Sequence, residues 1–190
     1  IRPHLFFLFA GIIFPGCARQ GPRSVTPAFY HWQTTFNITS AEREYLDSLG
    51  CRKLYVKLLD VGRSENSGEI TPYSLLDASE PGNITGMDIV PVVFITNEVF
   101  KNTTNGQLDW LAGKVAGVLT GFEKTLNTGL INEIQIDCDW TPSTREPFFL
   151  FLQKIRSLLP ENARLSATIR LHQYKFPEQT GVPPLLTVTR

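Results

Sequence analysis

The sequence predicts an α/β protein of the (β/α)8 TIM-barrel type, and three features predict it. Strand-like runs alternate with helical ones along the chain, the pattern of βαβ units and a parallel sheet. Several strand runs end in an abrupt change from apolar to polar: Lys57 and Asp60, Thr96 and Asn97, Asp137 and Asp139, Arg170 and His172. That distribution suits the C-terminal rim of a barrel, where active sites collect. No glycine-rich phosphate loop follows any strand run, which removes the main signature of nucleotide-binding doubly wound sheets. A whole barrel takes about 250 residues. This chain of 190 residues supplies about five to six of the eight strands, so a C-terminally truncated barrel is expected.

The chain carries 18 basic and 18 acidic side chains with no basic cluster, which argues against a nucleic-acid partner. Its 42% hydrophobic content suits one domain with its own core. Arg2 and His4 precede an apolar run, 5–14, and Pro15-Gly16-Cys17 follows. Basic, apolar and small residues in that order read as a secretory signal over 1–17, too short to span a bilayer as a helix. A small residue followed by cysteine resembles the bacterial lipobox, with Phe14 and Pro15 departing from its usual positions. The resemblance implies that Cys17 is acylated and anchors the protein at the bacterial cell envelope; without the acyl group the protein is secreted. Residues 18–27 are polar with Gly and Pro, as a tether should be, and the barrel domain covers 28–190.

Along that domain, the aromatic and β-branched stretch 28–35 reads as the first strand. Thr39 or Ser40 caps a helix through Leu49, with Glu42 in its first turn and Gly50 as its stop. Strand two covers 53–61, with Leu54, Val56 and Leu58 on one face. Residues 62–88 read as a long loop with a short helix over 73–78. The run IVPVVFIT, 89–96, is apolar on both faces, as in a buried parallel strand. Leu108, Leu111, Val115, Val118, Leu119 and Phe122 repeat at helical period over 107–126, with Trp110 in the core and Gly129 as stop. A strand over 132–140 and a helix over 144–159, capped by Ser143 or Thr144, come next. LSATIRL, 165–171, alternates as strand five, and the final LLTVTR reads as the start of another. Cys51 and Cys138 fall on opposite rims of a parallel sheet, which disfavours a disulfide and leaves them as small buried hydrophobes.

The strand over 132–140 holds the candidate site. Alternation sets Gln135, Asp137 and Asp139 on one face and Ile134, Ile136 and Cys138 on the other. Two carboxylates with Cα atoms roughly 6.5 Å apart at the end of an apolar strand are costly to bury without a purpose. Lys57 or Arg170 is available to hold one of them ionised. His172 follows Arg170 by two and faces the same interior, as a base, a sugar-hydroxyl donor or a structural imidazole. Tyr30 and Trp32 share a face, as a sugar-stacking pair or as core. No Cys or His metal-ligand spacing occurs, and no cofactor is implied; a hard cation on Asp137, Asp139 and His172 is the alternative use of that set.

Ile136-Asp137-Cys138-Asp139-Trp140 resembles the strand-four signature of family 18 glycoside hydrolases, the chitinase-like barrels, written Asp-x-x-Asp-x-Asp-x-Glu. Asp137 and Asp139 take its second and third acidic positions and Trp140 its common Trp. Ile134 stands at the first Asp, and Thr141 at the proton-donating Glu. FYHWQTTF, LYVKLLDVG, QIDCDW and ATIRLHQ together resemble uncharacterised bacterial secreted proteins and lipoproteins with glycosidase-like barrels. The second resemblance implies an architecture and a location; together with the residues at the strand ends, the expectation is a glycan partner, with Asp137 and Asp139 as catalytic candidates and Tyr30, Trp32, Lys57, Asn97, Trp140, Arg170 and His172 as substrate contacts. They leave open a non-catalytic glycan-binding or envelope-scaffold role; oligomeric state is unspecified.

Overall fold

A computed structural model describes residues 25–126 and 131–180. The proposed signal and tether up to residue 24, the Gly129 stop and the final LLTVTR lie outside the described residues.

Among the described residues, six strands form one mixed sheet that is mostly parallel and not closed. β1 (Ala28–His31), β2 (Lys53–Arg63), β4 (Asp88–Ile95), β5 (Glu133–Asp137) and β6 (Arg164–Ala167) lie side by side in chain order, all parallel. β3 (Ile70–Leu75) turns back and pairs antiparallel with the upper half of β2. The first half of the short helix expected over 73–78 is therefore strand, and the chain leaves β3 after Leu75. Its alternation is broken by a register shift against Asp60 and Val61, and it lies beside only one strand, where Pro72 costs no ladder hydrogen bond on its free side.

α1 (Ser40–Ser48) starts where its sequence demands. The Glu42 N–H donates to Thr39 Oγ1 at 3.2 Å, and the Thr39 N–H donates to Glu42 Oε2 at 2.8 Å, a reciprocal cap. Gly50 follows with φ +64°, the left-handed stop that glycine adopts most readily. Arg43 then ties the helix to the loop before β4, donating to the carbonyls of Asn83 and Thr85 at 3.1 and 2.7 Å. That loop meets the chain before α1 at Gly82, which has φ +70° and leaves a Cβ only 2.4 Å from the Ile38 carbonyl oxygen. Only glycine fits there.

α2 (Asn105–Leu126) and α3 (Arg145–Leu158) pack on one another and cover one face of the sheet. The apolar stripe of α2, from Leu108 through Leu111, Val115 and Leu119 to Phe122, is buried, as are Phe148, Phe151 and Ile155 of α3. Trp110, expected in the core, is half-exposed, with the Lys114 ammonium 5.8 Å above its ring. It projects away from the Leu108–Leu111–Val115 stripe. β4 is buried along its apolar run except at the half-buried Phe94, with Val90, Val92, Val93 and Ile95 fully enclosed. Cys51 and Cys138 are free and buried. Burial pushes the Cys138 thiol up to about 12, and the charges of Asp137 and Asp139 add to that.

β6 is shorter than the alternation of 165–171 suggests. The chain leaves the sheet after Ala167 and starts α4 (Leu171–Lys175), followed by α5 (Pro177–Thr180). Gln173 closes the first turn of α4 by accepting from the Arg170 N–H at 2.7 Å. A capped turn competes with strand here because a four-residue alternating run serves either.

Candidate functional site

The face of the sheet opposite α2 and α3 carries a group of polar and aromatic side chains. Register places Tyr30 beside Tyr55, Tyr55 beside Val90 and Lys57 beside Val92. It continues with Val92 beside Gln135, Phe94 beside Asp137, Glu133 beside Arg164 and Gln135 beside Ser166. Residues so paired point the same way, so these side chains share one open face.

At its lower end lies a charge cluster. Glu133, 7% exposed, accepts from Lys53 Nζ at 2.9 Å, Arg164 Nη2 at 3.0 Å, Ser166 Oγ at 3.0 Å and the Tyr55 hydroxyl at 3.4 Å. Lys53 also reaches Asp88 at 3.2 Å. Burial alone would raise the Glu133 carboxyl. The hydrogen bonds from Lys53 and Ser166 and the charges of Lys53 and Arg164 outweigh it and hold the carboxyl below its usual range. The Lys53 ammonium is raised: burial opposes its charge, and its two carboxylate partners win. The Tyr55 phenol is raised by burial and by the Glu133 charge.

Above the cluster, the Tyr30 hydroxyl meets the Gln135 amide, 3.0 Å from Nε2 and 3.1 Å from Oε1. Three rings stack in a row: Trp32 on Tyr30 with centroids 5.5 Å apart, and Tyr30 on Tyr55 at 4.8 Å. Trp32 is 48% and Tyr30 46% exposed, so the row is a platform rather than core. Lys57 Nζ sits 5.9 Å from the Trp32 ring centre and 2.8 Å from Asp60 Oδ2. Asp60 itself is buried, and its Oδ1 has no hydrogen-bond partner among the described residues. Tyr73 packs over Gly62, and its phenol is raised by burial and by the Asp60 charge. Asp137, half-buried on the same face, accepts from the Thr168 hydroxyl.

The structure therefore brings Tyr30, Trp32, Lys57 and Asp137 together and separates the other candidates. β5 ends at Asp137, so Asp139 no longer follows the strand's alternation; its side chain is 71% exposed and faces Arg170 Nε at 3.7 Å. Trp140 is a core residue, 1% exposed, with Phe148 and Phe149 against its ring. Arg170 lies at the start of α4, where its guanidinium donates to the Trp140 carbonyl. His172 is exposed on α4 with its ring against Phe176; it leaves the expected interior because the strand has already ended. Asn97 accepts from the buried Thr144 hydroxyl. Thr141, at the proton-donor position of the chitinase-like signature, bonds Ser143 and Thr144 through its hydroxyl at 3.0 and 3.2 Å. Lys57 pairs with Asp60 rather than with Asp137. Among the described residues no three His, Cys, Asp or Glu side chains converge as a metal site, and no helix is long and apolar enough to cross a membrane.

Tyr55, Glu133 and Thr168 belong to this face and were not singled out from the sequence, which did place Gln135 on the face of Asp137 and Asp60 at the end of its strand. Alternation of Lys53, Tyr55 and Lys57 against Leu54 and Val56 was the available signal for a polar face on β2. Comparison of the chain with protein-family models, curated proteins and solved structures returned no match.

Proposed function

We propose that the open face binds glycans, as one wall of a glycosidase-like (β/α)8-type barrel held at the cell envelope by a lipid on Cys17. The observation that carries the reading is the exposed Trp32–Tyr30–Tyr55 row with Lys57, Asp60 and Asp137 at its upper end. Flat aromatic faces take the apolar face of a pyranose ring, while charged and amide groups beside them take its hydroxyls. Parallel strands in chain order, with helices on the other face, support the barrel wall. Asp139 and Arg170 stand at its rim.

Titration calorimetry of the full chain against cellohexaose, xylohexaose, laminarihexaose, maltohexaose and chitohexaose tests the reading. Binding of at least one is expected, with about tenfold weaker affinity in Trp32→Ala, the equivalent of about 1.4 kcal/mol. No binding to any, or a Trp32→Ala protein that binds like the parent, rules the platform out. The tether is tested by incorporation of labelled palmitate in a bacterial host, expected in the parent and absent in Cys17→Ser; equal labelling of both refutes it.

A non-catalytic variant of the same reading is favoured by Thr141, whose hydroxyl is engaged by its own loop. It supplies no acid at the position where the chitinase-like pattern has one.

A further inference from the structure

We propose that Asn105 is a modification site, whose side-chain amide is lost spontaneously through attack by the backbone nitrogen of Gly106. The proposal is independent of the glycan reading.

Asn105-Gly106 is the only Asn-Gly pair in the chain. Attack on an asparagine side chain needs the next backbone nitrogen to approach it, and a Cβ on that next residue obstructs the approach. Gly106 carries none. Both residues are exposed, and Asn105 is the first residue of α2. The first N–H groups of a helix have no partner in the helical ladder. Gln107 finds one outside it: its N–H donates to Thr104 Oγ1 at 3.3 Å, and its Oε1 accepts from the Thr104 N–H at 2.9 Å. No hydrogen bond among the described residues holds the Gly106 N–H or the Asn105 side chain.

Packing does not require glycine here. Gly106 is free of positive φ, and a Cβ built on it meets no atom within 4 Å. Alanine therefore fits at this position and removes the reactive pair. Helical backbone at Asn105 keeps the Gly106 nitrogen away from Cγ, so the reaction waits for the first turn to open. Fraying ends open at almost no cost in free energy, whereas helix interiors do not. The reciprocal cap between Thr104 and Gln107 is what opposes that opening.

In the reaction, a base in solution takes the Gly106 amide proton and the nitrogen attacks Asn105 Cγ. The N–Cγ bond forms and the Cγ–Nδ2 bond breaks; Nδ2 leaves as ammonia with a proton from water, and a succinimide ring remains. Water then opens the ring. Hydrolysis at Cγ gives aspartate, and hydrolysis at the main-chain carbonyl gives isoaspartate, with the chain running through Cγ. Aspartate complements the positive end of the helix dipole. Isoaspartate lengthens the backbone inside the capped turn. Asn105 also lines a cleft of about 380 Å³ with Phe100, Asn102, Leu108, Ser143 and Glu146. Either product adds a carboxylate to a lining in which Glu146 is the one acid.

The test ages the folded full chain in mildly alkaline buffer, beside a urea-unfolded sample, and follows the tryptic peptide 102–114 by mass spectrometry. A gain of about 1 Da, amide to acid, is expected at Asn105, with isoaspartate detected by enzymatic methyl labelling. The folded chain should react within about tenfold of the unfolded rate, because the site lies at a fraying end. Gly106→Ala should slow the reaction about tenfold or more by restoring a Cβ. Thr104→Ala should speed it about fivefold in the folded chain by loosening the cap, and leave the urea rate unchanged. No gain at Asn105 in the folded chain overturns the proposal. So does a gain that Gly106→Ala leaves as fast, or a folded rate that ignores Thr104→Ala.

Discussion

Replacing Trp140 by alanine is expected to cost about 3–5 kcal/mol of stability, the range for emptying a buried aromatic site. The indole is among the largest fully buried side chains, with its ring between Phe148 at 6.2 Å and Phe149 at 5.3 Å. Phe148 in turn touches Phe100, so the void would open where the strand β5, the turn before α2 and the helix α3 meet. Collapse is hindered because the walls come from separate stretches of chain, Phe148 and Phe149 from α3 and Phe100 behind them from the turn before α2. For a domain of this size the loss corresponds to a fall of about 10–15 °C in melting temperature, read by circular dichroism. Trp140→Phe is expected to lose less, since the indole Nε1 it removes has no hydrogen-bond partner among the described residues and a buried unpaired donor is itself unfavourable. A drop below about 2 °C for the alanine variant would place Trp140 outside the core.

The second large effect is expected at Glu133. Glu133→Gln leaves Lys53 with Asp88 as its carboxylate partner and strands the Arg164 guanidinium; a loss of about 1–3 kcal/mol at neutral pH follows from removing one member of a buried charged network. The pH dependence has a definite sign. The folded carboxyl titrates below its unfolded value of about 4.3, so its contribution is present above that value and disappears as pH falls through the folded one. Lys53 is displaced upward, so its contribution holds below about pH 10.4 and is lost as pH rises through its folded value. Denaturant midpoints of parent and variant should differ by a constant amount near neutrality and converge below about pH 4. A difference that grows on acidification contradicts the network.

Much of the scaffold was legible because single residue types decided it. Thr39, Glu42 and Gly50 mark both ends of α1, and the unbroken apolar run 89–95 marks a strand buried on both faces. The acidic end of β5 was legible for the same reason: Asp137 follows buried isoleucines and remains half-exposed. What stayed hidden depends on geometry that letters do not carry. The bulge between Lys57 and Leu59 shows only in pairing, and Leu58-Leu59 reads as two ordinary core residues, so plain alternation sets Asp60 on the face of Leu54, Val56 and Leu58 rather than beside Lys57. Alternation continued past Asp137 assigned Asp139 and Trp140 to a strand that had already ended. The same extrapolation beyond Ala167 sent Arg170 and His172 inward. β3 was missed because Pro72 and a register shift break its period, and because its one partner leaves Tyr73 and Leu75 exposed.

The strand order repeats the chain order, with β3 folded back on its own predecessor. Every new parallel strand therefore docks on an edge that already exists when it emerges, after a single helical crossover or loop. Such a sheet is suited to assembly during synthesis, from the N-terminal side onward. The lower charge cluster is the exception. Lys53 waits for Glu133, and both wait for Arg164, so the network that ties β2 to β6 closes only after the last of these strands has been made. The sheet order suits stepwise growth, and this ion network closes when β6 joins it.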